Sequence, residues 1–324
     1  MGYVKTTLAA GFMAIGATSA VAQDKPQYTF VHPSNTSNVF YQAVQKGMMD
    51  ACAQVGADCQ MIYVQNEMDI QQELSNFEAA IAQGVDGILA TMVNDEAYDE
   101  VTQRAIDAGI PVLAITTDDS EGAAGNARLS FIGQTLYTAG FALAEDVATL
   151  FPAEGPIHVL LGVSAPGQNW AENRIKGVEG YLEKYKADTG REVTWERIDS
   201  GLDLAETGSR VATYVLQNPH TTAYFDAGFW EAGAAVALAD QGLAPGQVLL
   251  AGFDTVPVAL EQMKTGYVQR VVDQQPYLQG YLGIHQLDLI RKYGLSGWDV
   301  DTGRGIVRPE DVDAIMELSQ QGIR

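Results

Sequence analysis

The sequence predicts an α/β protein of two doubly wound parallel-sheet halves that face each other across a cleft. Three observations carry this reading. Short β-branched runs alternate with longer amphipathic stretches; the rhythm completes one half near residue 131 and restarts; and 324 residues are too many for one typical hydrophobic core. No Gly/Ser-rich or Pro-rich tether separates the halves, and the C-terminal segment after residue 274 needs a place in one or both sheets. Several tight crossings, and therefore a hinge, are expected.

Tyr28 to His32 reads as the first strand. Phe40 to Val55 carries apolar residues at helical spacing (Val44, Met48, Ala51, Val55) and stops at Gly56. Cys59 to Val64 is a strand, Asp69 to Gln83 a helix, Gly87 to Thr91 a strand, Asp95 to Ala108 a helix and Val112 to Thr116 a strand. The second half opens with a helix over Thr135 to Leu150, after which Pro156 introduces the strand Ile157 to Leu161. A helix at Glu172 to Ala187, a strand at Val193 to Ile198, a helix at Leu204 to Gln217 and a strand at Ala223 to Phe225 follow. Glu231 to Gln241 then forms a helix and Val248 to Gly252 a strand.

The first 22 residues are excluded from this fold. Lys5, the apolar stretch from Leu8 to about Ala17 and Ala20-Val21-Ala22 match a cleavable secretion signal, with cleavage before Gln23. The apolar run is too short for a membrane span, and no later segment is long and apolar enough, so no membrane insertion is expected after cleavage. Cys52 and Cys59 are the only cysteines. In an oxidising compartment they suit a local disulfide, with two buried free thiols as the alternative; two sulfurs without a nearby histidine are a poor metal site. Lys plus Arg number 19 against 41 Asp plus Glu, a net charge of −22 that argues against nucleic acid as a partner. His32, His158, His220 and His285 are scattered and read as structural.

Ligands of open parallel sheets bind beyond the carboxyl ends of the strands. In this chain those positions are rich in amide, hydroxyl, carboxylate and aromatic groups. They are Ser34, Asn35, Asn38, Phe40 and Tyr41 after the first strand, Asn94 and Asp95 after the third, and Thr116, Thr117, Asp118 and Asp119 after the fourth. In the second half they are Gln168, Asn169, Trp170 and Arg174, then Phe229 and Trp230, then Asp254, and finally Asp273 and Gln274. Vicinal hydroxyls both donate and accept, and the C–H faces of a sugar pack on aromatic rings, so this inventory suits a polyol. Any one of these polar residues can equally cap a helix or make a turn.

The segment Ser34-Asn35-Thr36-Ser37-Asn38-Val39-Phe40-Tyr41 resembles the opening of the ribose-binding protein family of periplasmic sugar receptors. So do Gln83-Gly84-Val85-Asp86-Gly87-Ile88, Gly109-Ile110-Pro111-Val112, Asn173-Arg174-Ile175-Lys176-Gly177, Ala251-Gly252-Phe253-Asp254 and Val271-Val272-Asp273-Gln274-Gln275-Pro276, in family order. The resemblance implies two Rossmann-like domains joined by three crossings, the type I periplasmic-binding fold, with a sugar between them, no catalysis and no cofactor. Residues 23–131 with 275–303 would form the first lobe, and 132–274 with 304–324 the second.

Carried over by position, Ser34, Asn38, Phe40 and Tyr41 line the first wall, with the two rings sandwiching the sugar. Arg174 is the ligand-binding arginine, Asp254 the second lobe's carboxylate and Gln274 the hinge glutamine. Asn94, Thr116, Asp118, Trp170 and Phe229 complete the expected ligand-binding set. The chain departs from the family in two places. Thr116-Thr117 and Asp118-Asp119 stand where an Asp-Arg pair is usual, and Gly228 stands near the position of a ligand asparagine.

The expected function is capture of a small sugar or polyol for the membrane permease of an ABC transporter, by a periplasmic monomer. A receptor of the same build for an autoinducer or another non-sugar metabolite, or one serving chemotaxis, is the alternative. An enzyme is disfavoured because no G-x-G-x-x-G follows the first strand and no Walker loop, G-x-S-x-G elbow or zinc-binding histidine pair is present. A DNA-binding regulator of the lac-repressor type is disfavoured because its basic headpiece is replaced by the leader.

Overall fold

A computed structural model describes residues 1–2, 25–303 and 305–324. Residues 3–22 of the expected leader, and the expected cleavage point, fall outside the described residues. Two six-stranded sheets organise the chain, one of strand order β11-β5-β4-β3-β1-β2 and one of order β12-β10-β9-β8-β6-β7.

The first sheet holds β1 (Gln27–Val31), β2 (Asp58–Ile62), β3 (Gly87–Ala90), β4 (Val112–Thr116), β5 (Ser130–Gly133) and β11 (Val300–Asp301), all parallel. Its helices include α1 (Phe40–Val55), α2 (Ile70–Gln83), α3 (Asp99–Asp107) and α9 (Pro276–Tyr293). The second holds β6 (Ile157–Val163), β7 (Val193–Asp199), β8 (Ala223–Asp226), β9 (Leu249–Phe253), β10 (Val268–Asp273) and β12 (Gly305–Val307), parallel except for β12 against β10. Around it lie α4 (Leu136–Ala148), α5 (Asn169–Thr189), α6 (Leu204–Gln217), α7 (Glu231–Asp240), α8 (Pro257–Lys264) and α10 (Val312–Gln320).

The central strands β3, β4, β6, β8 and β9 are buried along their whole length, as their continuous apolar runs require. Three short crossings join the two lobes: between β5 and α4, between β10 and α9, and between β11 and β12. Side-chain amides knit them together. Gln134 donates to the Gly303 carbonyl at 3.1 Å, Gln275 to the Thr302 carbonyl at 2.6 Å, and Gln279 to the Thr302 hydroxyl at 3.0 Å.

Small residues set how closely the helices that carry the cleft residues approach their neighbours. A Cβ at Gly140 of α4 would lie 2.0 Å from the Arg174 carbonyl oxygen, and one at Gly177 of α5 would lie 2.1 Å from the Tyr137 carbonyl oxygen. Both positions must therefore be glycine, and their contact fixes the turn of α5 that bears Arg174. The Cys52–Cys59 pair is disulfide-bonded, tying the end of α1 to β2.

Several expected elements are displaced for local reasons. The third helix begins at Asp99 rather than Asp95, because the Asn94 side chain accepts from the Glu96 and Ala97 N–H groups and holds a turn there. The α5 helix starts at Asn169, a turn before Glu172. Strand β5 carries the first sheet on to Gly133, beyond the expected end of that half.

Candidate functional site

The loops after β1, β2, β3 and β4 face those after β6, β8 and β9 across an interlobe cleft. Its lining comprises Asn38, Phe40, Tyr41, Met68, Val93, Thr116 and Thr117 on one side. Trp170, Arg174, Gly228, Phe229, Trp230 and Asp254 form the other, with Gln274 at the second crossing. The empty space between the walls, open mouth included, is about 460 Å³.

Backbone strain concentrates here. Only four described non-glycine residues have positive φ: Met68 (60°), Thr116 (67°), Asp254 (74°) and Gln275 (55°). Three of them line the cleft and the fourth sits at a crossing. Thr116 is β-branched and poorly suited to the left-handed region, so its conformation is held by its surroundings, including a 2.9 Å hydroxyl contact with Thr91.

Arg174 and Asp254 are both buried in the second wall. One guanidinium nitrogen, Nη1, donates to the Ala227 carbonyl at 2.9 Å, while Nε has no partner in the protein. The guanidinium lies 4.2 Å from the Phe253 ring centre and 6.0 Å from that of Trp170. Burial lowers the Arg174 pKa, against the opposing pull of Asp254 and Asp226. Burial likewise raises that of Asp254, against the pull of Arg174 and of Gln274, whose amide donates to Asp254 Oδ1. The pair thus offers unspent donors and a free carboxylate oxygen in a confined space.

Aromatic rings supply the apolar surface. Phe229 and Trp230 stack at 4.6 Å, and Trp170 lies 6.0 Å from Trp230. The Phe40 and Tyr41 rings stand at 82° to each other, so the expected sandwich between these two is not formed; a flat ligand needs its second ring from the opposite wall. Tyr41 is backed by His32 at 4.2 Å, whose pKa burial lowers to about 3, which keeps it neutral. At Gly228 a Cβ would lie 2.3 Å from the Trp230 indole, so that ring fills the space a ligand asparagine would need.

Nine of the twelve expected ligand residues converge on the cleft: Asn38, Phe40, Tyr41, Thr116, Trp170, Arg174, Phe229, Asp254 and Gln274. Three do not. Ser34 lies behind the wall, fully buried, its N–H donating to His32 Nδ1 at 3.3 Å and its hydroxyl accepting from Asn38 at 3.5 Å. Asn94 is spent on the turn described above. Asp118 is drawn aside by Arg128, whose Nε donates to it at 2.8 Å and whose Nη2 binds the second oxygen. Asn38 itself is partly committed, donating to Glu67 at 2.8 Å and accepting from the Phe40 N–H at 3.2 Å. Met68 and Val93 join the lining without any polar signal in the sequence.

The sequence profile of the family described as "Periplasmic binding protein domain" matches residues 29–294. The chain belongs to this family. Among similar proteins, a xylose/arabinose-binding protein of Sulfolobus acidocaldarius is 30% identical over 301 residues, covering 88% of this chain and 72% of that protein. A periplasmic sugar-binding protein of an ABC sugar transporter from Legionella pneumophila has a similar structure, with TM-score 0.76 and 27% identity over 86% of this chain and 100% of that one. An ABC transporter solute-binding protein from Burkholderia graminis, in complex with D-arabinose, aligns with TM-score 0.79 and 25% identity over 88% of this chain and 96% of that one. The type I architecture of this periplasmic binding protein is accordingly shared along nearly the whole described chain.

Proposed function

We propose that the cleft captures a small neutral sugar or polyol and that the loaded protein delivers it to the membrane permease of an ABC transporter. The observation that carries this reading is the buried Arg174–Asp254 pair, each with hydrogen-bonding capacity left over, in a cleft walled by aromatic rings. A carboxylate ligand would meet Asp254 and a cationic one Arg174, whereas hydroxyls can donate to the first and accept from the second. Phe229, Trp230, Trp170 and Phe40 then pack the C–H faces. The sugars named for the relatives above support this reading over an autoinducer.

We further propose that the two lobes move about the three crossings and that the closed form presents both lobe faces to the permease. The protein would act as a periplasmic monomer released by cleavage before Gln23, with no catalytic step. Ligand contacts made by both walls only when closed supply the differential affinity that shifts the population.

The test is thermal denaturation of residues 23–324, unfolded and refolded to remove carried-over ligand, with pentoses, hexoses, inositols, alditols and a furanone-type autoinducer. A rise of several degrees with one sugar or polyol supports the reading. No response to any carbohydrate overturns it.

A further inference from the structure

Asn169, the first residue of α5, is buried and absent from the cleft lining, yet it reaches the opposite lobe three times. Its backbone N–H donates to the Val93 carbonyl at 2.9 Å. Its side-chain Nδ2 donates to Asp95 Oδ1 at 2.6 Å and is 3.3 Å from the Asp118 carbonyl oxygen. Away from the three crossings, every direct hydrogen bond between the lobes among the described residues is made by Asn169, and no described ion pair joins them.

The receiving surface is pre-arranged. Both Asp95 oxygens are fixed by Ser120, through its N–H at 2.8 Å and its hydroxyl at 2.5 Å. Asp118 is held by Arg128, which steadies the loop whose carbonyl faces Asn169. The strand order places this contact far from the hinge. Asn169 follows β6, which is separated from β10 by β9 and β8, and Val93 follows β3, which is separated from β5 by β4.

We propose that Asn169 is a closure latch. It holds the lobes together at the mouth without touching the ligand, so it sets how long any ligand stays rather than which ligand is chosen. This rests on the sugar-capture reading for its biological use but not for its test. The side chain supplies one charge-assisted bond and one neutral bond, formed only in the closed form, which favour that form by a factor of about ten, while the backbone bond to Val93 does not depend on the side chain. Because the factor belongs to the protein, loss of the latch lowers the affinity for every ligand of the cleft by the same ratio, through faster release.

The experiment compares ligand-free wild type, N169A and D95A, and the double variant, by single-molecule energy transfer between dyes on the two lobes, after circular dichroism confirms folding. The closed-to-open ratio should fall about tenfold in N169A, and the double variant should fall no further than N169A alone. Equal closed populations in wild type and N169A overturn the latch, including the case in which neither closes. Dissociation rates for D-xylose, L-arabinose and D-ribose by tryptophan fluorescence provide the second readout. For each sugar that binds, a uniform acceleration supports the latch, and a change in their rank order makes Asn169 a ligand contact instead. A population shift with no sugar binding leaves the latch standing and removes the sugar reading.

Discussion

Asp254→Asn is the sharpest perturbation of the cleft, because asparagine keeps the shape and tolerates the left-handed backbone at φ 74°. The carboxylate presents two acceptor oxygens, one of which receives the Gln274 amide. An amide replaces only one of them with an acceptor. Facing the ligand, its NH₂ removes the acceptor a sugar hydroxyl needs; facing Gln274, it sets donor against donor in a buried site. Either orientation leaves a buried group unpaired, at about 1–3 kcal/mol, and Arg174 also loses the opposing charge that acts on it most strongly. We expect about 2 kcal/mol, which is about thirtyfold in Kd. Titration calorimetry with the sugar found by thermal denaturation measures it, with Asn94→Ala expected to lose much less, because its side chain holds a turn rather than facing the cleft. Equal affinity in D254N and wild type refutes the placement of the site, and a loss in the Asn94 variant equal to that in D254N refutes the sorting of these residues.

Glu231 is fully buried beneath the cleft with neither carboxylate oxygen partnered, and burial, reinforced by Asp226 and Asp254, raises its pKa well above the ordinary 4.5. Stability linked to this group is therefore complete below the unfolded pKa and lost as pH rises from there through the folded pKa. Glu231→Gln removes that loss, so the melting temperature of the variant should exceed that of wild type at pH 8 by about 2–4 °C per kcal/mol recovered, with a smaller gap at pH 4. A gap that does not widen with pH rejects the assignment. Opening the Cys52–Cys59 bond, which closes a short loop of sequence separation 7, should cost about 2 kcal/mol in urea unfolding, and the same midpoint with and without reductant would contradict this.

Much of this molecule is legible in its sequence because the periodicity is physical. Runs such as Val112–Thr116 must be buried on both faces, and the spacing of Val44, Met48 and Ala51 admits a helix. Short elements such as β5, α8 and β12 escape that signal, since three to eight residues span about two repeats at most, too few for the pattern to stand out. The strand-end rule brings out Arg174, Asp254 and the aromatic rings for the same topological reason. It fails at Asn94 and Asp118, which are polar and correctly placed along the chain but whose side chains are taken by a turn and by Arg128. It is silent on Met68 and Val93, whose apolar side chains look the same whether they line a core or a cleft.

The decisive observation is where the ligand sits. A crystal structure of the refolded protein with the sugar that raises its melting temperature should place the ring between the two walls. Its hydroxyls should lie within hydrogen-bond distance of the Arg174 guanidinium and the free Asp254 oxygen, and its faces against rings from both lobes. A sugar bound elsewhere, or one in the cleft that touches neither Arg174 nor Asp254, would contradict this placement.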